Sequence, residues 1–260
     1  MTGVIKFTVV IATLMRPSLY TAVESVRMQY RPNMEIEIVT RYDPLINEYA
    51  SRDIAICDLN HTDYIAVLDD DAFYDQDTLM KIADRIASYD FADCAVKGNI
   101  FGRGVEIFDR PYLGIGTALF FTPEAYSMTG GFHLSWGKDP GSGWRMDTAL
   151  LYEFLSRNKG QGYVHISDVA VNHPNPMQSQ WNPYIEWQFY REYQKYVEKY
   201  ILPVDGRLPD MIKHADILDS AVRVLGKSMN DIILKYHRGI IVPQAYSEME
   251  IAVRAMEERK

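Results

Sequence analysis

Three consecutive carboxylates, Asp69, Asp70 and Asp71, are the residues of this chain best suited to bind a metal ion. They directly follow Tyr64–Leu68, a continuous apolar run that is typical of a strand buried on both faces of a parallel sheet. Open α/β sheets bind ligands at the carboxyl ends of their strands, and carboxylate oxygens are hard ligands for divalent cations. Like charges this close repel one another unless a cation neutralises them. We therefore predict a divalent-metal site that holds a diphosphate.

The alternative is that the three aspartates only begin a solvated turn and cap the helix that follows. The triplet by itself does not decide between the two interpretations. The decision depends on which other residues the neighbouring elements carry to the same edge of the sheet.

Strand and helix patterns alternate through the first part of the chain. Apolar runs predict strands at Phe7–Ala12 and Tyr64–Leu68, and a further strand is predicted between them at Glu35–Thr40. Helical spacing predicts helices after Pro17, after Asp43-Pro44 and over Asp77–Tyr89. This alternation predicts an α/β fold with a mostly parallel sheet and crossover helices.

The positions of the two cysteines agree with this predicted fold. The second predicted helix should turn Ile46, Ala50, Ile54 and Cys57 towards the core. Cys57 and Cys94 are the only two cysteines, lie in apolar segments and lack metal-ligand spacing. We expect both to be buried thiols of a protein from a reducing compartment.

Beyond Asn99 the pattern changes to short apolar runs punctuated by glycines, without a dinucleotide or phosphate-loop motif. It predicts two strands, a short helix, a glycine-rich loop at 136–143, a longer helix and a last strand. The predicted strands and helices are Val105–Phe108, Leu119–Phe121, Pro123–Met128, Met146–Arg157 and Tyr163–Val171.

Only helical patterns follow from Gln180 onward, so we predict a first domain over 1–178 and a helical C-terminal extension over 179–260. One aromatic stripe indicates core packing, a homodimer face or a platform for an acceptor. Its members are Tyr184, Trp187, Tyr190, Gln194, Val197 and Ile201.

The composition argues against some partners. The 260-residue chain has a formal net charge of −8 and a pI near 5.3, which disfavours binding to nucleic acid or to an anionic membrane. The first residues do not resemble a signal peptide, and no apolar run reaches transmembrane length. We expect a cytoplasmic protein that could lie peripherally at a membrane.

Four landmarks in order make residues 7–173 resemble the inverting glycosyltransferases of family 2, which have the GT-A fold. They are the opening strand Val9–Thr13 with Arg16-Pro17; Ser51–Ala55 followed by Asp63–Asp71; Gly130-Gly131-Phe132; and Met146-Asp147. The resemblance implies metal-dependent transfer of a sugar from a nucleotide-diphosphate donor, a UDP-sugar by default, to a glycan, lipid or protein acceptor.

The resemblance also implies roles for individual residues. Asp71 would bind the metal, and Asp69 would contact the donor ribose or the metal and its water shell. His173 would complete the metal shell, although packing against Pro174 remains an open alternative. Mn²⁺ or Mg²⁺ would suit these ligands. Donor contacts are implied for Thr13, Arg16, Asp43, Arg52, Asp69 and Asp70.

Asp147 is the implied catalytic base. A helix N-terminus stabilises its ionised form, and the preceding glycine-rich loop could fold over the acceptor. Ordinary charge placement at a helix start is the alternative, and Asp139 in the loop is the competing base.

The sequence also departs from the family pattern. Asp53 and Met146 stand where the family usually has asparagine and glutamate, and Thr40–Asp43 replaces an Asp-Asp-Gly-Ser-like turn. Asp43 is therefore the remaining candidate for recognising the base of the nucleotide, although it could instead cap the next helix. Two rival enzymes are a retaining GT-A transferase and a sugar-phosphate nucleotidyltransferase. A nucleotide- or glycan-binding module without activity is the rival of another class.

Overall fold

A mixed, mostly parallel β-sheet with flanking helices organises the first part of the chain, as the sequence predicts. The computed structural model describes residues 4–42, 48–89, 95–102, 105–108, 112, 119–132, 145–173, 183–201 and 203. Its strands are β1 Ile5–Thr13, β2 Met34–Tyr42, β3 Tyr64–Asp69, β4 Phe73–Tyr74, β5 Ala95–Gly102, β6 Val105–Phe108, β7 Leu119–Phe121 and β8 Tyr163–Asn172. Its helices are α1 Ser18–Arg27, α2 Glu48–Cys57, α3 Thr78–Tyr89, α4 Pro123–Thr129, α5 Met146–Arg157 and α6 Pro183–Tyr196.

Strand β1 is central to the parallel part of the sheet. The strand order is β2-β1-β3-β7-β5-β8-β4, with β6 paired to β5. Strand β1 runs parallel to both neighbours, with Thr13 opposite Tyr42 on β2 and Ala12 opposite Asp69 on β3. The long pairings are parallel, whereas β7, β4 and β6 add short antiparallel ones. The carboxyl ends of β1, β2 and β3 therefore meet at one edge.

Both faces of β1 and β3 are covered, which explains their continuous apolar sequences. On one face, Phe7, Val9 and Ile11 pack in a core cluster with α1 and α3, through residues such as Ala22 and Leu79. On the other face, Val10 and Val67 are fully buried, and α2 packs on β1. Each fully buried aliphatic side chain of this kind contributes roughly 1.5–3 kcal/mol. The packing holds the strand ends in fixed positions.

The buried face of α2 differs from the predicted one. Ile54 is 50% exposed and Cys57 is also exposed, so the predicted inward positions of both are wrong. The helix instead buries Arg52, Ala55 and Ile56. The reason is electrostatic, because the ion pair with Asp69 at the end of β3 compensates the burial of the Arg52 guanidinium. Cys94, Ile46 and the Asp43-Pro44 helix start lie outside the described residues.

A two-residue strand that the sequence analysis did not anticipate, β4, follows the aspartates. Two buried side chains hold it in place. Ser25 Oγ of α1 accepts a hydrogen bond from the Tyr74 amide at 3.1 Å, and Nε2 of Gln29, just after α1, donates to the Asp75 carbonyl at 2.8 Å. Gln29 Oε1 also accepts from the Leu79 amide at 3.2 Å, which caps the first turn of α3. Strand β4 pairs with the end of β8, so these contacts fix the end of the last strand as well.

The Gly130-Gly131-Phe132 turn packs against α2. Gly130 ends α4 in the left-handed conformation, with φ of 73°. Gly131 also has a positive φ, 88°, and a Cβ atom there would lie 2.8 Å from Oδ2 of Asp53. The Phe132 amide donates a hydrogen bond to Oδ1 of Asp53 at 3.1 Å. Only glycine allows this close approach of backbone and carboxylate.

The chain divides into two compact units, Met1–Gln178 and Ser179–Lys260, and the roles predicted for the two parts stay predictions. In the second unit, α6 continues into a π-helical turn, Val197–Ile201. Val197 and Ile201 of the predicted stripe are buried, together with Phe189 and Tyr193, whereas Gln194 is exposed. The side chains of Tyr184 and Trp187 lie outside the part that the structure describes, and the role of the stripe stays a prediction. Within the described residues, no helix combines the length and the apolarity that crossing a bilayer requires.

The Asp53 contact generates a prediction about pH. Burial raises the pKa of Asp53 from 3.8 to about 6, against the opposing effect of the Phe132 hydrogen bond. Because the folded-state pKa is raised, Asp53 favours folding most at a pH below 3.8, and this contribution is lost as the pH rises through about 6. Asp53→Asn should therefore stabilise the protein near neutral pH, by roughly 1 kcal/mol after solvent screening of a half-exposed group, which raises Tm by about 2–4 °C.

Thermal melts near pH 4 and near pH 8 test this, because the gain should vanish at the lower pH. Asp58→Asn is the matched control, since the Asp58 side chain is 66% exposed and its only described partner in an ion pair is an exposed Arg41. An equal change in Tm at both pH values would show that ionisation of Asp53 does not affect folding.

Candidate metal site

Asp70 fastens the loop between β1 and α1. Its side chain is buried. Its Oδ2 atom accepts hydrogen bonds from the Thr13 hydroxyl at 2.8 Å and from the Leu14 amide at 3.2 Å. The Thr13 hydroxyl in turn accepts from the Met15 amide at 2.7 Å, and Met15 adopts a left-handed φ of 61°. These bonds give Thr13 and Asp70 a structural function in this loop. Their predicted direct contacts with the donor stay predictions.

Asp71 lies between two basic side chains. Its Oδ2 atom is 3.1 Å from Nη1 of Arg16, and its Oδ1 atom is 2.9 Å from Nε2 of His173. Burial raises the pKa of Asp71, but the hydrogen bond and charge of His173 and the charge of Arg16 outweigh it and lower the pKa overall. Asp71 is therefore ionised near neutral pH. The same Arg16 atom lies 3.2 Å from Oδ1 of Asp70.

Asp69 forms an ion pair with Arg52 of α2. The Arg52 side chain is only 1% exposed, whereas that of Asp69 is 21% exposed. An arginine on a surface helix usually faces solvent, but here the sheet carboxylate compensates the desolvation of the guanidinium. The predicted contact between Arg52 and the donor remains untested, and in this arrangement Arg52 positions Asp69.

Strand β4 brings His173 to the aspartates. Phe73 pairs with Asn172 in antiparallel register, so the residue after β8 lies beside the residues before β4. The Asn172 side-chain amide also donates a hydrogen bond to the Asp75 carboxylate. No sequence pattern identified so short a strand, although the adjacent aromatic residues Phe73-Tyr74 are a weak β signal. The pairing explains how residues about a hundred positions apart reach one site.

The residues present fit a divalent cation. Asp69, Asp71 and His173 each offer one ligand atom, and these atoms all lie within 4.8 Å of one another. Ligands bind such ions at about 2.0–2.6 Å, so opposite ligands are roughly 4–5 Å apart. Two carboxylates and an imidazole suit Mn²⁺ well and Mg²⁺ less well. The structure thus brings together the three predicted ligands, and their binding of metal stays a prediction.

The predicted base lies at the start of α5. Arg145 precedes the helix in a left-handed conformation with φ of 63°, Met146 is buried, and Asp147 is half-buried in the first turn. The position matches the predicted one, and the catalytic role stays a prediction. Asp43, Asp139 and the glycine-rich loop lie outside the described residues.

Comparisons with known proteins show where this fold recurs. No protein-family model matches the sequence, and no curated protein matches it either. The structure is similar to that of S. aureus TarS, with 11% identity and a TM-score of 0.57 over 92% of this chain and 46% of that one. The chain therefore spans less than half of that TarS chain.

Two structures with bound donors are also similar. S. aureus TarS 1-349 in complex with UDP-GlcNAc has 11% identity and a TM-score of 0.56, over 98% of this chain and 92% of that one. Mannosyltransferase PcManGT from Pyrobaculum calidifontis, in complex with GDP-Man and Mn²⁺, has 14% identity and a TM-score of 0.55, over 95% of this chain and 79% of that one. The chain thus has a GT-A-like fold shared with glycosyltransferases.

Proposed function

We propose that this protein is a metal-dependent, inverting glycosyltransferase that moves a sugar from a nucleotide-diphosphate sugar to an acceptor hydroxyl. The observation that carries the proposal is the meeting of Asp69, Asp71 and His173 at the carboxyl edge of the sheet. The comparisons support it, because similar folds bind UDP-GlcNAc and GDP-Man. A UDP-sugar is the expected donor.

The chain's own residues account for donor binding. Asp69, Asp71 and His173 would hold Mn²⁺ or Mg²⁺, and such a cation supplies positive charge that stabilises the departing diphosphate. Arg52 of α2 keeps Asp69 in place through their ion pair. Asp70 holds the loop that carries Arg16, whose guanidinium is half-buried beside the same carboxylates. A guanidinium fork is suited to phosphate oxygens.

The acceptor half of the reaction needs a base. In an inverting transfer, the hydroxyl oxygen attacks the anomeric carbon opposite the leaving diphosphate, and a base must accept the hydroxyl proton. Asp147 is the proposed proton acceptor, because the N-terminus of α5 favours its ionised form. The acceptor is a glycan, a lipid or a protein, and the C-terminal helices are the proposed contact of a homodimer.

A non-catalytic binding module is the second candidate. Met146 is fully buried, so the position where the resembling family usually has glutamate offers no polar group to a substrate. Such a module would bind a nucleotide with metal but would release no nucleoside diphosphate from any nucleotide sugar.

Asp71→Asn tests the metal assignment. It removes a charge from the proposed shell with little change of volume, so the Mn²⁺-dependent part of UDP or GDP affinity should fall by about 10-fold or more. Isothermal titration with and without Mn²⁺ measures this. Asp58→Asn, at an exposed carboxylate next to α2, should change nothing. Equal nucleotide affinity with and without Mn²⁺ in the unaltered protein would remove the basis for a metal-dependent enzyme.

Asp147→Asn tests the base. It keeps the size of the side chain but removes the proton acceptor, so turnover should fall by about 10²–10⁴-fold with donor affinity nearly unchanged. Release of UDP or GDP from nucleotide sugars, with a panel of acceptors, measures turnover. Asp139→Asn is the parallel variant, and it should lower turnover much less. If Asp139→Asn is inactive and Asp147→Asn is normal, the base lies in the glycine-rich loop.

A further inference from the structure

Two arginines that differ in exposure pair with the three aspartates. Arg52 pairs with Asp69 and is 1% exposed, so the packing of α2 on the sheet fixes its guanidinium. Arg16 pairs with both Asp70 and Asp71, and its side chain is 32% exposed. Of these two counter-cations, only Arg16 can reach solvent without unpacking a helix.

The site can release Arg16 without leaving the Asp70 or Asp71 carboxylate unsatisfied. Asp70 would retain the hydrogen bonds from the Thr13 hydroxyl and the Leu14 amide. Asp71 keeps His173 on its other oxygen while the site holds no metal, and a bound cation would itself compensate the Asp71 carboxylate. Those contacts of Asp70 also hold the loop backbone around Met15, so Arg16 can move its side chain while its Cα stays in place.

Arg16 and a divalent cation would compete for the same carboxylate. Asp71 is the residue that Arg16 shares with the proposed metal ligands Asp69 and His173. A guanidinium and a divalent ion on one carboxylate repel each other, and the repulsion is strong where solvent screens poorly. The diphosphate of a donor is the negative group that could accept the displaced guanidinium, in a bidentate contact.

We propose that Arg16 is an exchangeable counter-cation. It pairs with Asp71 in the absence of metal and nucleotide, and its guanidinium moves onto the diphosphate when metal and nucleotide bind together. The proposal rests on the proposed function and deepens it by making metal and donor binding interdependent. Arg16 then opposes metal binding in the absence of nucleotide and supports nucleotide binding in the presence of metal. Removing its charge must change the two affinities in opposite directions.

The test is Arg16→Met, which removes the charge but keeps most of the side-chain length. Without nucleotide, Mn²⁺ should bind about 5-fold or more tightly, as coupled sites typically show. The readout is the paramagnetic resonance signal of free Mn²⁺, which needs no activity. At saturating Mn²⁺, UDP and GDP should bind about 5-fold or more weakly by calorimetry. Arg27→Met is the matched control, because Arg27 on α1 is exposed and pairs only with Glu24 among the described ion pairs.

Arg16→Gln serves as a second variant, and thermal melts of both show whether the loop remains folded. If both affinities fall, Arg16 is a structural residue and the exchange is wrong. If neither changes, Arg16 is not part of the site. These results leave the proposed function intact when the unaltered protein binds Mn²⁺ and nucleotide. If the unaltered protein binds neither, the proposed function fails and the exchange fails with it.

Discussion

Neutralisation of three adjacent carboxylates at the end of a buried strand is the constraint on which this structure depends. Asp69 ends a strand with no exposed face and Asp70 and Asp71 follow it, so solvent alone cannot screen their repulsion. The cations come from elements far apart in sequence: Arg52 from α2 and Arg16 from the loop after β1. Removing one partner of a buried pair typically costs about 3–5 kcal/mol, and of these two arginines only Arg52, at 1% exposure, is buried in this sense.

This constraint also shapes the surrounding backbone. The ion pair with Asp69 sets the rotation of α2, which exposes Ile54 and Cys57 and leaves Asp53 against Gly131. The hydrogen bonds to Asp70 set the conformation of the β1–α1 loop. The site and the local fold are therefore parts of one electrostatic arrangement. A substitution of Asp69 should therefore change the packing of α2 as well as the affinity for ligands.

Much of this arrangement could be predicted from sequence. Apolar runs locate β1 and β3, and the position of Asp71 at a strand end follows from them. The same reasoning placed α5 over Met146–Arg157, where the structure has it. The rotation of α2 could not be predicted, because hydrophobic periodicity assigns a charged residue to the solvent side. Strand β4 was missed since two residues are too few for any periodic signal, and its pairing with β8 depends on tertiary contacts.

The central claim is that Asp69, Asp71 and His173 form a metal site that operates together with a nucleotide diphosphate. Crystals grown with Mn²⁺ and UDP or GDP, with diffraction recorded at the manganese absorption edge, test it most directly. We predict an anomalous peak within about 2.0–2.6 Å of ligand atoms of Asp71 and His173, and of Asp69 or a water bound to it. We also expect the Arg16 guanidinium on the diphosphate. Bound nucleotide with no manganese peak at these residues, or with the peak elsewhere, would contradict the account.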